Sequence, residues 1–525
     1  MKTTIKKWGI NGEGIAYKDR KPVFITGAMP NEFIEYSVVK EFKNYSIGKL
    51  EKIIKSSNSR RKMLCAYADR CGGCSLMHVQ YKAQCKMKEQ FLKESLKKYA
   101  KLNISLDPIV KNMDSLAYRN ACKLPLSMQN GKIVSGMYEK DSNEFVEISR
   151  CLIHSKTLEK VRQTIVSILQ ENQCRAYDKR KKMGYRTLVL KEFDEKVQVI
   201  FVTGKDKINE KIIQLVEEIE EVESIWQSIK VQDSPEVFGD QMIHLALNKN
   251  IIVPLDKMTL SLLPKSFFQL NTKQAVQLYN TVHEWMPKSK CIVEAYSGIG
   301  AMSLYCHDKA DEVIGIEFVE DAVCNAKENA LENNIENVKF ICGDAAKKLK
   351  DILLHKEVDS LIVDPPRTGL NSEMLNCIIS SSIKNIIYVS CNPSTLSKDL
   401  AVLSKNYNVE KVRPFDMFSQ TQHVETVVLL SKLKTKKHIN IELRTDEFDL
   451  TASESKATYA KIKQYVLEKH GIKVSSLNIA QIKQKCGIKE RDNYNLSKKE
   501  NVKQPQCTVE KEKAIMDAFR HFQMI

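Results

Sequence analysis

Nowhere in this sequence does an apolar run approach the roughly 18 residues that a membrane-crossing helix needs, which argues against a membrane protein. The opening residues, Met1-Lys2-Thr3-Thr4-Ile5-Lys6-Lys7, lead into Trp8-Gly9 and not into the apolar core of an export signal, so a cytoplasmic protein is expected. Acidic residues are also in deficit. There are 65 Asp and Glu against 82 Lys and Arg, a net charge of +17, and the natural partner of such a chain is a polyanion ahead of a membrane surface. Without export, 15 cysteines do not read as a disulfide framework, which leaves ordinary thiols, metal ligands or catalysis. At 525 residues the chain has room for about three or four domains of roughly 100–200 residues each.

Within that frame one stretch stands out. Ile386-Ile387-Tyr388-Val389-Ser390 has the pattern of a buried parallel strand, and it stops at Cys391 before Asn392-Pro393 breaks it. The carboxyl edge of an open α/β sheet is where ligands bind, so this thiol is placed to attack one. A second stretch, Val293 to Leu304, reads as a strand, a Tyr296-Ser297-Gly298-Ile299-Gly300 turn and a helix. The next strand, Val313 to Glu317, closes on a carboxylate suited to the two hydroxyls of a ribose. The turn lacks the third glycine of a dinucleotide fingerprint, which favours S-adenosylmethionine over NAD. A third strand, Leu361 to Asp364, delivers a carboxylate to the same edge, where Pro365-Pro366 forbids immediate helix and Arg367 follows. Asp344, after Cys342-Gly343, ends a further strand and is a candidate partner for an adenine amino group.

Three cysteines, Cys65, Cys71 and Cys74, sit close together in a region that is itself basic. From Lys40 to Lys101 there are 16 Lys and Arg against 5 Asp and Glu, an excess that suits phosphate binding. The cysteine spacing points to a metal or a cluster without choosing between zinc and iron–sulfur.

Asp364-Pro365-Pro366-Arg367-Thr368-Gly369-Leu370, Ser390-Cys391-Asn392-Pro393-Ser394-Thr395-Leu396 and His423-Val424-Glu425-Thr426-Val427 together resemble the S-adenosylmethionine-dependent RNA 5-methyluridine methyltransferases. The resemblance covers roughly residues 8–432. It implies that Cys391 adds to carbon 6 of uracil, that Glu425 removes the carbon 5 proton, and that Gln269 of Phe267-Phe268-Gln269-Leu270-Asn271 touches the cofactor. Tyr296, Glu317, Asp344 and Asp364 complete the expected cofactor set. It also implies a [4Fe-4S] cluster on Cys65, Cys71, Cys74 and Cys151. Tyr118-Arg119-Asn120 and Gly136-Met137-Tyr138-Glu139 match the family's central domain. Glu294 and Ser297 stand where Asp and Cys are common, and Ala301 follows the second glycine; these departures bear on cofactor affinity.

Four domains are expected. Residues 1–56 read as a small β-barrel resembling the TRAM domain, and 57–254 as a mixed α+β central RNA-binding domain with the cluster. Residues 156–254 of it carry no nameable chemistry. Residues 255–433 read as a doubly wound, Rossmann-like parallel sheet. Residues 434–525 form a basic helical extension, with helices at 458–470 and 477–486, a disordered link at 490–508 and a last short helix. With 19 Lys and Arg against 12 Asp and Glu, this extension is expected to add RNA affinity without chemistry. The expected partner is RNA, in the first place large-subunit (23S) ribosomal RNA, because the barrel and the cluster resemble that branch. The same reaction on transfer RNA, or a non-catalytic iron–sulfur redox sensor, are the alternatives. No obligate protein partner is evident.

Overall fold

Three large β-sheets and one hairpin organise residues 1–433 of the computed structural model, which describes residues 1–140, 142–433, 459–486 and 508–522. The first sheet has six strands between Lys2 and Lys55. Its opening segment pairs at Lys2–Thr4 with Phe33–Glu41 and at Lys7–Trp8 with Gly14–Lys18, so one bent segment joins both edges and the sheet curls around Ile5, Val23, Ile25, Ile34 and Tyr36.

The second sheet has seven strands in the order 241–247, 222–229, 196–203, 185–193, 121–129, 132–138 and 145–147. The helices Lys156–Glu171 and Glu210–Glu217 bury their apolar stripes on it through Leu158, Val161, Ile165, Leu169, Ile212 and Val216.

The third sheet carries the candidate site. Its order is 338–342, 310–317, 289–295, 360–363, 385–390, 425–432 and 407–415, with apolar cores on both faces. The strands ending at Cys342, Glu317, Ala295, Val363 and Ser390 are parallel, as near-continuous Val, Ile and Leu runs require when both faces are covered. The expectation of a parallel sheet is corrected near its far edge, where Glu425–Lys432 alone is reversed and runs antiparallel to both Asn385–Ser390 and Tyr407–Phe415. A tight return from 415 to 425 leaves no room for a crossover helix. The helix Tyr81–Ser95 and its continuation pack on this sheet through Leu92, Leu96 and Ala100.

The chain divides into two compact units, Met1–Lys434 and Thr435–Ile525. In the second, the helices Tyr459–His470, Ser476–Lys485 and Val509–His521 pack around Ile462, Val466, Ile479, Ile482, Ile515 and Phe519. Ser475 caps the middle helix with a reciprocal capping box to Asn478. The expected link at 490–508 lies almost wholly outside the described residues. No helix among the described residues is long and apolar enough to cross a membrane.

Candidate active site

The parallel register decides which side chains meet. Ala295 pairs with Ile316 and with Val363, so Tyr296, Glu317 and Asp364, each one residue further on, stand side by side at the carboxyl edge. The antiparallel rung Ser390↔Thr426 does the same for the other pair, because one residue further along opposite directions lie Cys391 and Glu425. The antiparallel edge that sequence reasoning missed is therefore what brings the thiol and the carboxylate face to face.

Gln269, Tyr296, Glu317, Asp364, Cys391 and Glu425 all line one cavity of about 880 Å³. Glu317 is fixed at its rim, its carboxylate accepting from the backbone N–H of Gly298 at 3.0 Å and of Val319 at 2.9 Å. The turn that carries Gly298 is forced. Tyr296 takes a left-handed φ of 66°, and Gly300 lies so close to Phe340 that a Cβ there would come within 2.4 Å of the ring. Ser297 leaves its hydroxyl buried without a partner beside this turn. An anchored carboxylate, an open glycine face and an orphaned hydroxyl suit the adenosine part of S-adenosylmethionine. Asp344 lies near Tyr296 and acts on it electrostatically. It does not line the cavity, and its carboxylate caps the helix Ala345–His355 by accepting from the N–H groups of Ala346 and Lys347, both at 3.1 Å.

The cavity is unusually hostile to negative charge. Burial, reinforced by Asp364, pushes the Glu425 carboxyl up to about 8, and burial pushes Asp364 up to about 7. The Cys391 thiol rises to about 11 through burial, then through the neighbouring Glu425 and Asp364. Glu294, beneath the site and bonded by the Ser303 hydroxyl, is pushed up to about 8, first by burial. Such a cluster of acids favours a cationic sulfonium beside it.

Gln269 is positioned from the second sheet. Asn120 donates from Nδ2 to the Gln269 carbonyl at 3.0 Å and to the Thr272 hydroxyl at 2.8 Å, and its N–H donates to the Leu270 carbonyl. Lys191, buried, donates to the carbonyls of Leu263, Pro264 and Ser266 at 3.2, 2.7 and 2.8 Å. Residues 156–254 also reach the cavity, since Trp226 from the strand 222–229, Asp240 just ahead of the edge strand 241–247 and Met242 within it line its wall. Ser266, Phe267 and Phe418 line it as well.

Cys65, Cys71, Cys74 and Cys151 line a second cavity of about 300 Å³, walled by Met77, Ile153 and Phe268. None of the four is in a disulfide. Burial, then repulsion from Cys151, Cys71 and Cys65, pushes the Cys74 thiol up to about 12, so the four tolerate being thiolates together only if a cation neutralises them. At Cys151 burial acts the same way, but the hydrogen bond and charge of His154 outweigh it and hold that thiol below its usual range. Among the described residues no group of three or more His, Cys, Asp or Glu closes on a point that would hold a single metal ion. Lys265 to Phe268 and Leu270 border this cavity, and most of the same segment borders the active cavity.

The comparisons with known proteins agree with this geometry. The family model described as tRNA (Uracil-5-)-methyltransferase matches residues 80–433. An uncharacterised RNA methyltransferase of Bacillus anthracis is 34% identical over 439 residues, covering 82% of this chain and 96% of its own. One from Halalkalibacterium halodurans is 35% identical over 441 residues, covering 81% and 95%. The crystal structure of the Pyrococcus abyssi tRNA (uracil-54, C5)-methyltransferase with S-adenosyl-L-homocysteine superposes with a TM-score of 0.68 at 25% identity, over 82% of this chain and all of that one. The chain thus has the α/β methyltransferase fold and belongs to the tRNA (uracil-5-)-methyltransferase family of S-adenosylmethionine-dependent RNA methyltransferases.

Proposed function

We propose that this chain methylates carbon 5 of a specific uridine in 23S ribosomal RNA through a covalent Cys391–uracil adduct. The observation that carries the reading is the opposition of Cys391 and Glu425 one residue beyond the last antiparallel rung, Ser390↔Thr426, at the wall of the cavity that Glu317 and Gln269 also line. Carbon 5 of uracil is a weak nucleophile, and addition of the Cys391 thiolate to carbon 6 gives it enolate character. S-adenosylmethionine, when bound, supplies the methyl group. After transfer, carbon 5 still carries its proton, and the ionised Glu425 opposite takes it, so that the bond from Cys391 to carbon 6 breaks and the double bond returns. Held near 8, Glu425 lies close to the pH at which a base both accepts and releases a proton readily.

Burial holds the Cys391 thiol above its usual range, so its proton is passed to solvent through the open cavity before addition, which leaves the Glu425 carboxylate to take the carbon 5 proton afterwards. The unpaired guanidinium of Arg367, which lowers the acidity barrier of both Cys391 and Glu425, is the group that favours this ionisation. The four thiols are read as ligands of a [4Fe-4S] group, held by Cys65, Cys71, Cys74 and Cys151; when present it would cross-link residue 151 to residues 65–74. The curled sheet at 2–55 is read as a TRAM-like RNA-binding module. Residues 434–525 are read as a basic accessory module that adds affinity only.

The ribosomal assignment rests on the resemblance of the curled sheet and the thiol cavity to that branch. A second reading, transfer RNA, is favoured by the Pyrococcus abyssi enzyme, which acts on uracil 54 of tRNA and spans 82% of this chain. Mapping 5-methyluridine in 23S ribosomal RNA and in tRNA, from cells with and without the gene, separates the two. The chemistry is tested on a denaturing gel with a labelled methyl donor. Cys391→Ala should give neither adduct nor methylation, while Glu425→Gln should methylate once and then stall as a covalent protein–RNA species. Normal turnover by Glu425→Gln would reassign the base.

A further inference from the structure

A smaller cavity of about 250 Å³ lies against the other side of Cys391. Only Cys391 and Arg367 line both it and the active cavity. Its remaining walls come from distant parts of the chain, among them Asn11 from the curled sheet, Phe91 from the helix Tyr81–Ser95, Ser394 and His423. The loop bearing Asn11 is seated there by contact, since Gly12 in that loop, at a φ of 83°, packs against Leu76 and Gln422.

The chemistry of this cavity is divided. At the seam stands Arg367, exposed, with a guanidinium that makes no ion pair or hydrogen bond to the protein, while its carbonyl is held by Asn392 Nδ2 at 3.1 Å and by the Thr395 hydroxyl at 3.2 Å. Inside, the polar groups are neutral, and the side chains of Ser394 and His423 have no hydrogen-bond partner. Ser394 Oγ is buried with no hydrogen bond. The His423 ring has none either and packs edge-on against Phe418; burial and the nearby Arg367 and Lys88 lower it to about 4, so it is an uncharged imidazole. Asn11 spends its Nδ2 on Glu13 and leaves its Oδ1 free. A positive charge at the seam between the cavity that takes the target base and a second, uncharged cavity matches a phosphodiester between two bases. The volume, below the roughly 300–1,000 Å³ of sites for larger ligands, is on the scale of a single base.

We propose that the cavity formed by Asn11, Phe91, Ser394 and His423 is a second nucleobase subsite, which receives the base adjoining the target uridine while Arg367 holds the phosphate between them. The inference rests on the reading of Cys391 as the nucleophile. It makes the curled sheet part of substrate selection at the reacting centre, because Asn11 then reads a base next to the one being methylated. It also explains how the unstacking of the target is made affordable, since its neighbour leaves the stack with it and is rebound.

The test uses the full chain and the RNA hairpin containing the uridine that mapping identifies, synthesised with 5-fluorouridine there. Fluorine on carbon 5 cannot leave as a proton does, so the Cys391 adduct persists on a denaturing gel. Hairpins with an abasic nucleotide on the 5′ side, on the 3′ side or on neither are compared by rate of adduct formation. An abasic neighbour on one side should slow trapping about tenfold, the order of one lost base contact, and one on the other side should not. His423→Ala should slow the intact hairpin by a similar factor and lose the abasic penalty, with unchanged S-adenosylmethionine binding as its check of folding. Equal trapping of all three hairpins by the unmodified protein would overturn the subsite and leave the Cys391 reading intact. No adduct with any hairpin would overturn both.

Discussion

Replacing Lys191 by methionine puts a number on how the second sheet supports the site on the third. The ammonium holds three backbone carbonyls, of Leu263, Pro264 and Ser266, directly ahead of Phe267 and Gln269 in the active cavity. Hydrogen bonds from a charged donor contribute about 1.5–3 kcal/mol each, so losing three costs about 4–9 kcal/mol. Against this stands the burial of the ammonium, helped by the nearby Lys123, which takes it from the ordinary 10.5 down to about 7. At about 1.4 kcal/mol for each tenfold, the charged form carries about 5 kcal/mol of penalty that methionine does not. The net loss at pH 7 is then about 0–4 kcal/mol.

The sign with pH is sharper than the size. Between 7 and 10.5 the unfolded chain holds the Lys191 proton and the folded one has released it, so this group makes the natural protein more stable as pH rises through that window and has no effect below it. Lys191→Met lacks that gain. The gap in thermal midpoint between the two proteins should therefore be constant from pH 6 to 7 and widen by a few degrees from pH 7 to 9. The KM for S-adenosylmethionine should rise with the freed Gln269 segment. Midpoints that stay parallel across pH 6 to 9, with an unchanged KM, would refute the clamp.

Glu294→Gln should act in the opposite sense. A carboxyl raised from 4.5 to about 8 loses folded stability as pH rises through that interval, so the glutamine variant should match the natural protein at pH 5 and melt higher at pH 8, by up to about 3 kcal/mol of stability. Asp416→Ala strips the partner from the fully buried Lys88 and from the Tyr81 and Ser419 hydroxyls, both of which donate to Asp416. It should cost about 3–5 kcal/mol and lower kcat with it, because the loop it anchors leads into Glu425; full activity at normal stability would dissociate the loop from the base. Protein purified without oxygen should carry about four irons per chain if the thiols hold a [4Fe-4S] group, and lose them in Cys74→Ser; stoichiometric zinc without iron would refute that assignment.

What could be read from the sequence was whatever is written locally. Cys391, Glu317 and Asp364 each end a buried apolar run at a proline or turn, so strand and edge are marked by neighbouring residues. Asp344 carries the same mark, yet an acid after a glycine at a strand end is equally a helix cap, and the cap is what the structure shows it making. Trp226, Asp240 and Met242 had no such mark. They lie in or beside the last two strands of the second sheet, which reach the cavity only because that sheet docks against residues 263–270, a fact of tertiary packing with no local signature.

Lys191 was hidden for a further reason. In Leu188-Val189-Leu190-Lys191-Glu192-Phe193 a lysine beside a glutamate looks like the solvent-facing end of a strand, and only the carbonyls arriving from Leu263 to Ser266 make its burial tolerable. The antiparallel edge was missed for the same kind of cause, since apolar strands of either direction have the same composition when both faces are covered. Direction is set by the link between the strands, and the nine residues from Asp416 to Val424 are too few for a crossover. That length was legible and gives the antiparallel pairing of Tyr407–Phe415 with Glu425–Lys432. It does not give the insertion of Glu425–Lys432 between that strand and Asn385–Ser390, which is what sets Glu425 opposite Cys391 and is decided by packing across the sheet.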